Sequence, residues 1–218
     1  MTFSPSGTIE VVCGSMFSGK TEELMRRLKR AQYAKQKIQV FKPVIDQRYS
    51  MDHVQSHDAN RVLSTPVTSA KEILDKVDDN TRIVGIDEAQ FFDDGIVEVA
   101  QKLAYRGTRV ICAGLDMDFR GQPFGPMPKL LAVAESVTKL SAVCVVCGAP
   151  ATRSQRMIAS TESKTDLNDT QSQEQVLVGA HDYYEARCRL CHEPNPITTV
   201  QPGLFPNSKR SQIIGKEA

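Results

Sequence analysis

The chain has 218 residues, 40% of them apolar, with 27 basic against 26 acidic residues and a formal net charge of +1. This length suits one full domain with a small appendage, and so balanced a charge gives no reason to expect a nucleic acid or an anionic membrane as partner. No run approaches the roughly 20 apolar residues of a membrane span, and the opening MTFSPSGTIEVV has no charged region ahead of an apolar core, so no secretory signal is read and the cytoplasm is the expected compartment.

In chain order, TIEVVC at 8–13 predicts a strand that runs straight into a glycine. Residues 21–35 predict a helix, with Leu24, Leu28 and Ala31 at i, i+4 and i+7 and basic residues on the outer face. IQVF at 38–41 is a second strand, stopped by Pro43, which completes a strand–loop–helix–strand unit. Residues 46–60 are polar and predict a surface loop. Residues 69–77 predict a helix with Ser69 as N-cap and Glu72 three positions on, a capping box. RIVGI at 82–86 is a third strand ending on Asp87 and Glu88, residues 96–105 a helix, and TRVICA at 108–113 a fourth strand. The Gly- and Pro-rich stretch 118–128 predicts a loop, 130–135 a short helix and 137–143 a last strand. Alternating strands and helices, with strands that are nearly continuous apolar runs, predict an α/β fold: a parallel sheet covered by helices on both faces. The polar stretch 160–175 lacks the residues for a core and predicts a loop, and the residues after 201 predict a loose tail.

Gly14, Gly19, Lys20 and Thr21 satisfy the spacing G-x-x-x-x-G-K-[ST]. Each position has a chemical reason. Glycines allow the positive φ values with which backbone N–H groups wrap a phosphate. The loop opens a helix whose N-terminal dipole favours anions. The lysine reaches the β- and γ-phosphates, and the threonine hydroxyl serves Mg²⁺. An accidental Gly/Ser turn would lack the strand before and the helix after that this loop has. The apolar run ending in Asp87 and Glu88 suits the second acidic element of such proteins, Asp87 for Mg²⁺ and Glu88 as a general base towards a water or an alcohol. Spacing alone leaves ATPase and kinase equally open, and a solvated turn is the plainer alternative.

Six cysteines are present. Cys144/Cys147 and Cys188/Cys191 form two C-x-x-C pairs, the donor set of a closed tetrahedral zinc site. His192 is an alternative fourth ligand to Cys191. Four free thiols are the plainer alternative, and a redox pair fits poorly because neither motif opens a helix after a strand.

These pieces together resemble the thymidine kinase family of the cytosolic, zinc-containing, tetrameric type. The resemblance runs from residue 9 to about 191. It is carried by GSMFSGKTEELMRRLKR at 14–30, DQRYS at 46–50, SHD at 56–58, IDEAQFF at 86–92, GLDMDFRGQPFG at 114–125, AESVTKLSAVCVVC at 134–147 and YYEARCRLC at 183–191. It implies a RecA-like P-loop domain over 1–140, a zinc-binding lasso domain over 141–200 that closes over the nucleoside, and a flexible tail over 201–218. It implies transfer of the ATP γ-phosphate to thymidine, a homotetramer, and inhibition by thymidine triphosphate. Glu88 is then the base for the sugar 5′-hydroxyl and Arg48 the cation at the transferring phosphate. ATP contacts fall to Gly14, Ser15, Met16, Phe17, Ser18, Gly19, Lys20, Thr21, Asp46, Gln47, Arg48, Asp87, Glu88, Ala89 and Gln90, with Mg²⁺ at Thr21 and Asp87.

The same resemblance places Met16, Phe91, Leu115, Phe119 and Phe124 as apolar walls of the nucleoside pocket, and Tyr184 at the sugar. Gln175, Val176, Leu177, Val178 and Gly179 are to present lasso backbone to the pyrimidine edge. Ser154 stands where this family commonly has a threonine near the thymine methyl, Gly179-Ala180 replaces a frequent Gly-Gly, and the polar stretch before the lasso is longer than in compact members. Two other readings compete: a RecA-like ATPase or helicase module using its zinc knuckle on nucleic acid, and a non-catalytic zinc adaptor with a relic nucleotide site. The near-neutral charge opposes the first, and the intact Lys20, Thr21, Asp87 and Glu88 oppose the second.

Overall fold

The computed structural model describes residues 7–44, 64–157 and 184–194. Among them, six strands form the main sheet: β1 (Ile9–Gly14), β2 (Ile38–Pro43), β3 (Ser64–Val67), β4 (Ile83–Ile86), β5 (Arg109–Gly114) and β6 (Ser136–Leu140). Their spatial order is β3-β2-β4-β5-β1-β6. Every pairing is parallel, as apolar strands covered on both faces require. No helix among the described residues is long and apolar enough to cross a membrane.

The period-two alternation of the strands divides the core between the two faces. Val11, Cys13, Phe41, Val84, Ile86, Val110 and Cys112 turn to one side, packed with α2 (Ala70–Lys76), α3 (Gly95–Tyr105) and α4 (Met127–Val133). Val12, Val40, Ile83, Ile111 and Ala113 turn to the other, where α1 (Lys20–Tyr33) contributes Leu24, Leu28 and Ala31. This is the predicted helical stripe, and each fully buried leucine in it contributes about 2 kcal/mol. Ser69 caps α2 by accepting from the Glu72 amide at 3.4 Å, while the Glu72 carboxylate returns to the amide and hydroxyl of Thr68.

Three expectations shift. β3 is not predicted, because STPV is short and holds a proline; it lies at the sheet edge, where the missing N–H costs no ladder bond. α4 begins at Met127 rather than 130, because the prolines read as loop residues fit a first helical turn, whose N–H groups need no partner. The last predicted strand divides at Ser141. β6 ends there on the main sheet, and β7 (Ala142–Val143) turns away to pair antiparallel with β8 (Pro150–Ala151). β9 (Arg153–Arg156) and β10 (Tyr184–Arg187) form a second antiparallel pair beside it. The core of this small unit is Ala142, Cys144, Ala151, Ala186 and Cys188.

Arg27 fastens α1 to the sheet. Its guanidinium donates to Glu23 at 2.8 Å, Glu10 at 2.7 Å and the Thr138 hydroxyl at 2.8 Å, so one side chain ties α1, β1 and the edge strand β6. Burial pushes Glu10 up, but Arg109 and Arg27 together hold it below the usual carboxylate range. Arg26 and then Arg27 hold Glu23 at about 2. Arg27→Ala is expected to cost about 2 kcal/mol in urea unfolding at neutral pH, since it strips a half-buried carboxylate of one partner. Both carboxylates contribute stability that is complete above the ordinary value of 4.5 and lost as pH falls below it. The deficit of the variant therefore shrinks at about pH 3. An equal deficit at both pH values would remove these ion pairs as the cause.

Candidate functional site

β1 delivers the chain into residues 14–21 at the carboxyl end of the sheet. Gly14 sits at φ 148, and a Cβ there would lie 2.4 Å from the Leu140 carbonyl and 2.8 Å from Ser18 Oγ, so no side chain fits between loop and β6. Gly19 at φ 82 turns the chain into α1, whose N-terminus faces the loop interior. The loop folds on the carbonyl of Ser15, which accepts from Ser18 Oγ and from Lys20 Nζ, both at 2.8 Å. Burial lowers the Lys20 pKa, with Glu88, Asp87 and Asp116 opposing the shift. Phe17 holds a left-handed φ of 64, uncommon outside glycine.

The loop also receives support from far along the chain. Ser15 Oγ donates to the Ala151 carbonyl at 3.1 Å, and the Met16 amide donates to Ser154 Oγ at 3.0 Å. Ser154, expected near the base, thus also holds the phosphate loop. Ala151 escapes sequence reading because it acts through a carbonyl, which any residue supplies.

Asp87 follows β4, and its amide donates to the Phe41 carbonyl at 2.9 Å. β5 lies between β4 and β1, yet Thr21 Oγ1 comes within 3.3 and 3.4 Å of the two Asp87 carboxylate oxygens. Burial, and then the negative charge of Glu88, push Asp87 up to about 6. Hard oxygen donors around an anion that lacks enough positive charge fit a divalent cation such as Mg²⁺. Because its folded pKa lies above the ordinary 3.8, Asp87 costs stability once ionised, and that cost grows as pH rises from 3.8 through 6. Asp87→Asn is therefore expected to raise the melting temperature of metal-free protein at about pH 8 by about 3 °C, and to leave it unchanged below about pH 4. A lower melting temperature at both would show that Asp87 stabilises the apo fold instead.

Glu88 takes φ 51 and ψ 42, a left-handed conformation for a non-glycine residue at the entrance to a 3₁₀ turn over Ala89–Phe91. Such backbone costs about 1 kcal/mol and recurs at functional sites. Its amide donates to Asp87 Oδ1 at 3.0 Å, and its Oε2 accepts from Gln90 Nε2 at 2.6 Å.

Of the expected apolar walls, Phe91 and Phe124 are brought into contact, edge to face, their centroids 5.6 Å apart. Phe119 is covered by the guanidinium groups of Arg120 and Arg156 at 5.0 and 5.2 Å, and its carbonyl is bonded to His192 Nε2 at 2.8 Å. Asp118 Oδ1 shapes this loop by accepting from the amides of Arg120 and Gln122, each at 2.9 Å. Leu115 follows β5, and Tyr184 opens β10 opposite Arg156. Asp116, not singled out from the sequence, is buried with Lys139 at 2.6 Å. Asp46, Gln47 and Arg48 lie outside the described residues, as do Gln175, Val176, Leu177, Val178 and Gly179.

Cys144, Cys147, Cys188 and Cys191 place their four sulfurs within 4.8 Å of one another. The Cys147–Cys188 distance is 3.6 Å, close to the edge of about 3.8 Å that Zn–S bonds of about 2.3 Å impose on a tetrahedron. Burial opposes ionisation of Cys144, yet backbone hydrogen bonds from Cys188, Cys147 and Val146 bring its thiol down to about 6. Burial and its cysteine neighbours push Cys191 up to about 12, so of these two Cys144 offers the thiolate first. The cluster comprises the four sulfurs, Cys191 included, while His192 has its Nε2 bonded to the Phe119 carbonyl. Cys13 and Cys112, by contrast, are pushed up by burial to about 11 and about 12 and stay thiols.

A family model described as thymidine kinase matches residues 7–192. Among solved structures, domain III of the Thermotoga maritima replication initiation protein DnaA aligns with 14% identity and a TM-score of 0.37, over 64% of this chain and 56% of that one. The chain thus spans little more than half of that structure, and a likeness at this score carries no argument.

Proposed function

The chain belongs to the thymidine kinase family, and from that premise we propose that it transfers the γ-phosphate of ATP to the 5′-hydroxyl of thymidine, giving thymidine monophosphate and ADP. The observation that carries this reading is the convergence of Lys20, Thr21, Asp87 and Glu88 at one end of the sheet, with Thr21 and Asp87 bridged at 3.3 Å across an intervening strand.

In this reading Lys20 exchanges its bond to the Ser15 carbonyl for the β- and γ-phosphates. Glu88 accepts the 5′-hydroxyl proton as the sugar oxygen bonds to the γ-phosphorus and the bond to the β-phosphate oxygen breaks. Arg48 offsets charge on the transferring group. Thr21 and Asp87 would hold Mg²⁺, which would supply positive charge to the phosphates. Met16, Phe91, Leu115, Phe119, Phe124 and Tyr184 exclude water around the nucleoside, and the backbone of 175–179 pairs with the base edge. The four cysteines would hold a structural Zn²⁺. Residues 1–140 form the nucleotide-binding domain, 141–200 the lasso domain and 201–218 the tail. A cytoplasmic homotetramer inhibited by thymidine triphosphate, serving nucleoside salvage, completes the proposal.

The test is label transfer from γ-labelled ATP to thymidine, deoxyuridine, deoxycytidine, deoxyadenosine and deoxyguanosine. Label at the 5′ position of thymidine, dependent on Mg²⁺, is the expected result. Label on none of them, together with ATP hydrolysis stimulated by single-stranded DNA, would overturn the proposal in favour of a nucleic-acid ATPase.

A further inference from the structure

We propose that Gln90 is a positioning residue: its carboxamide bridges the Leu115 amide and the Glu88 carboxylate, and so sets the base relative to the wall of the nucleoside pocket. This rests on the kinase reading above, and it gives Gln90 a different part from the ATP contact expected of it.

The geometry permits one orientation of the amide. Leu115 N–H donates at 3.0 Å to Gln90 Oε1, and a backbone N–H has only a donor to offer. The nitrogen must then face Glu88, where Nε2 donates to Oε2 at 2.6 Å. Both polar ends of the side chain are thereby used, and the residue is 2% exposed, which leaves no path to a phosphate in solvent. Gly114 makes room for it, since a Cβ there would lie 2.7 Å from Gln90 Oε1. Glu88 Oε1 has no hydrogen bond among the described residues. The bridge therefore occupies one carboxylate oxygen and presents the other.

Two consequences follow from the direction of the bridge. Glu88 sits on a left-handed turn, where a single glutamate would swing about two side-chain torsions; a charge-assisted bond from a buried amide removes that freedom. The far end of the bridge is the residue after β5, a wall of the expected pocket. Seating of the nucleoside against Leu115 and alignment of the base are then coupled through one carboxamide.

The experiment is a double-mutant cycle in single-turnover transfer. Gln90→Met keeps the length of the side chain but neither donates nor accepts strongly. It is expected to lower the rate about 30-fold, the loss of one hydrogen bond to a charged group, with KM for ATP unchanged. In the Glu88→Gln background the same substitution is expected to have no further effect, because the base through which Gln90 acts is already gone. A merely structural role would lower both backgrounds equally, and a rise in KM for ATP with an unchanged rate would make Gln90 a nucleotide contact; either result overturns the inference. Gln90→Asn keeps the carboxamide but is one methylene too short to span Leu115 and Glu88, so it reads the bridge separately should the methionine variant fold poorly. If the wild-type protein transfers no label, the kinase reading fails; if it does and Gln90→Met matches it, only the positioning role fails.

Discussion

Glu88→Gln is expected to lower the transfer rate about 1,000-fold, the scale of a general base acting in the transition state. The substitution is close to isosteric. Gln90 Nε2, 2.6 Å from Glu88 Oε2, still finds an oxygen to donate to, and the left-handed turn is no worse for glutamine than for glutamate. Binding of ATP through the loop at 14–21 does not involve the lost charge, so KM for both substrates should stay within about threefold of the wild type, the pattern of an interaction made only in the transition state. Steady-state kinetics with thymidine check this. A rate within about tenfold of the wild type would remove Glu88 as the base.

Cys147→Ser should release the metal and, with it, nucleoside phosphorylation. The reason lies in the size of the core behind the cysteines. Its buried members are Ala142, Cys144, Ala151, Ala186 and Cys188, three alanines and two of the ligands themselves. So little apolar surface cannot offset the entropy of ordering two short antiparallel pairs; a zinc held by the four cysteines, which contributes about 10–16 kcal/mol at such sites, would supply the ordering. Metal analysis should fall from one zinc per chain to well below it, and kcat/KM for thymidine should drop at least about 100-fold as the supports of Phe119 and the phosphate loop loosen. A full equivalent of zinc in the variant would remove Cys147 as a ligand. Zinc loss with normal activity would show that this unit does not shape the site.

Most of the sheet was legible because its central strands are apolar runs, and the turn at 14–21 because its backbone needs glycine at 14 and 19. The four clustered cysteines were legible as two pairs, since C-x-x-C spacing brings the members of each pair together. What escaped is instructive in its chemistry. β3 carries a proline that only an edge position tolerates, and edge position is a property of the assembled sheet. The early start of α4 turned on prolines that terminate a helix in one position and begin one in another. The bridge from Leu115 through Gln90 to Glu88 joins residues from two separate strand ends, and the resemblance offered Gln90 only as an ATP contact. The gathering of all four sulfurs within 4.8 Å likewise needed the fold, since spacing alone does not bring the two pairs together.

The two bonds that brace the phosphate loop also order events in the making of the protein. Residues 14–21 are made well before the Ala151 carbonyl and Ser154 hydroxyl that brace them, which come 136 and 138 positions later, and the last two cysteines of the cluster later still. A nascent chain can therefore lay down most of its sheet before the loop is braced. Bracing of the loop and closure of the cysteine cluster then both wait on residues beyond 150.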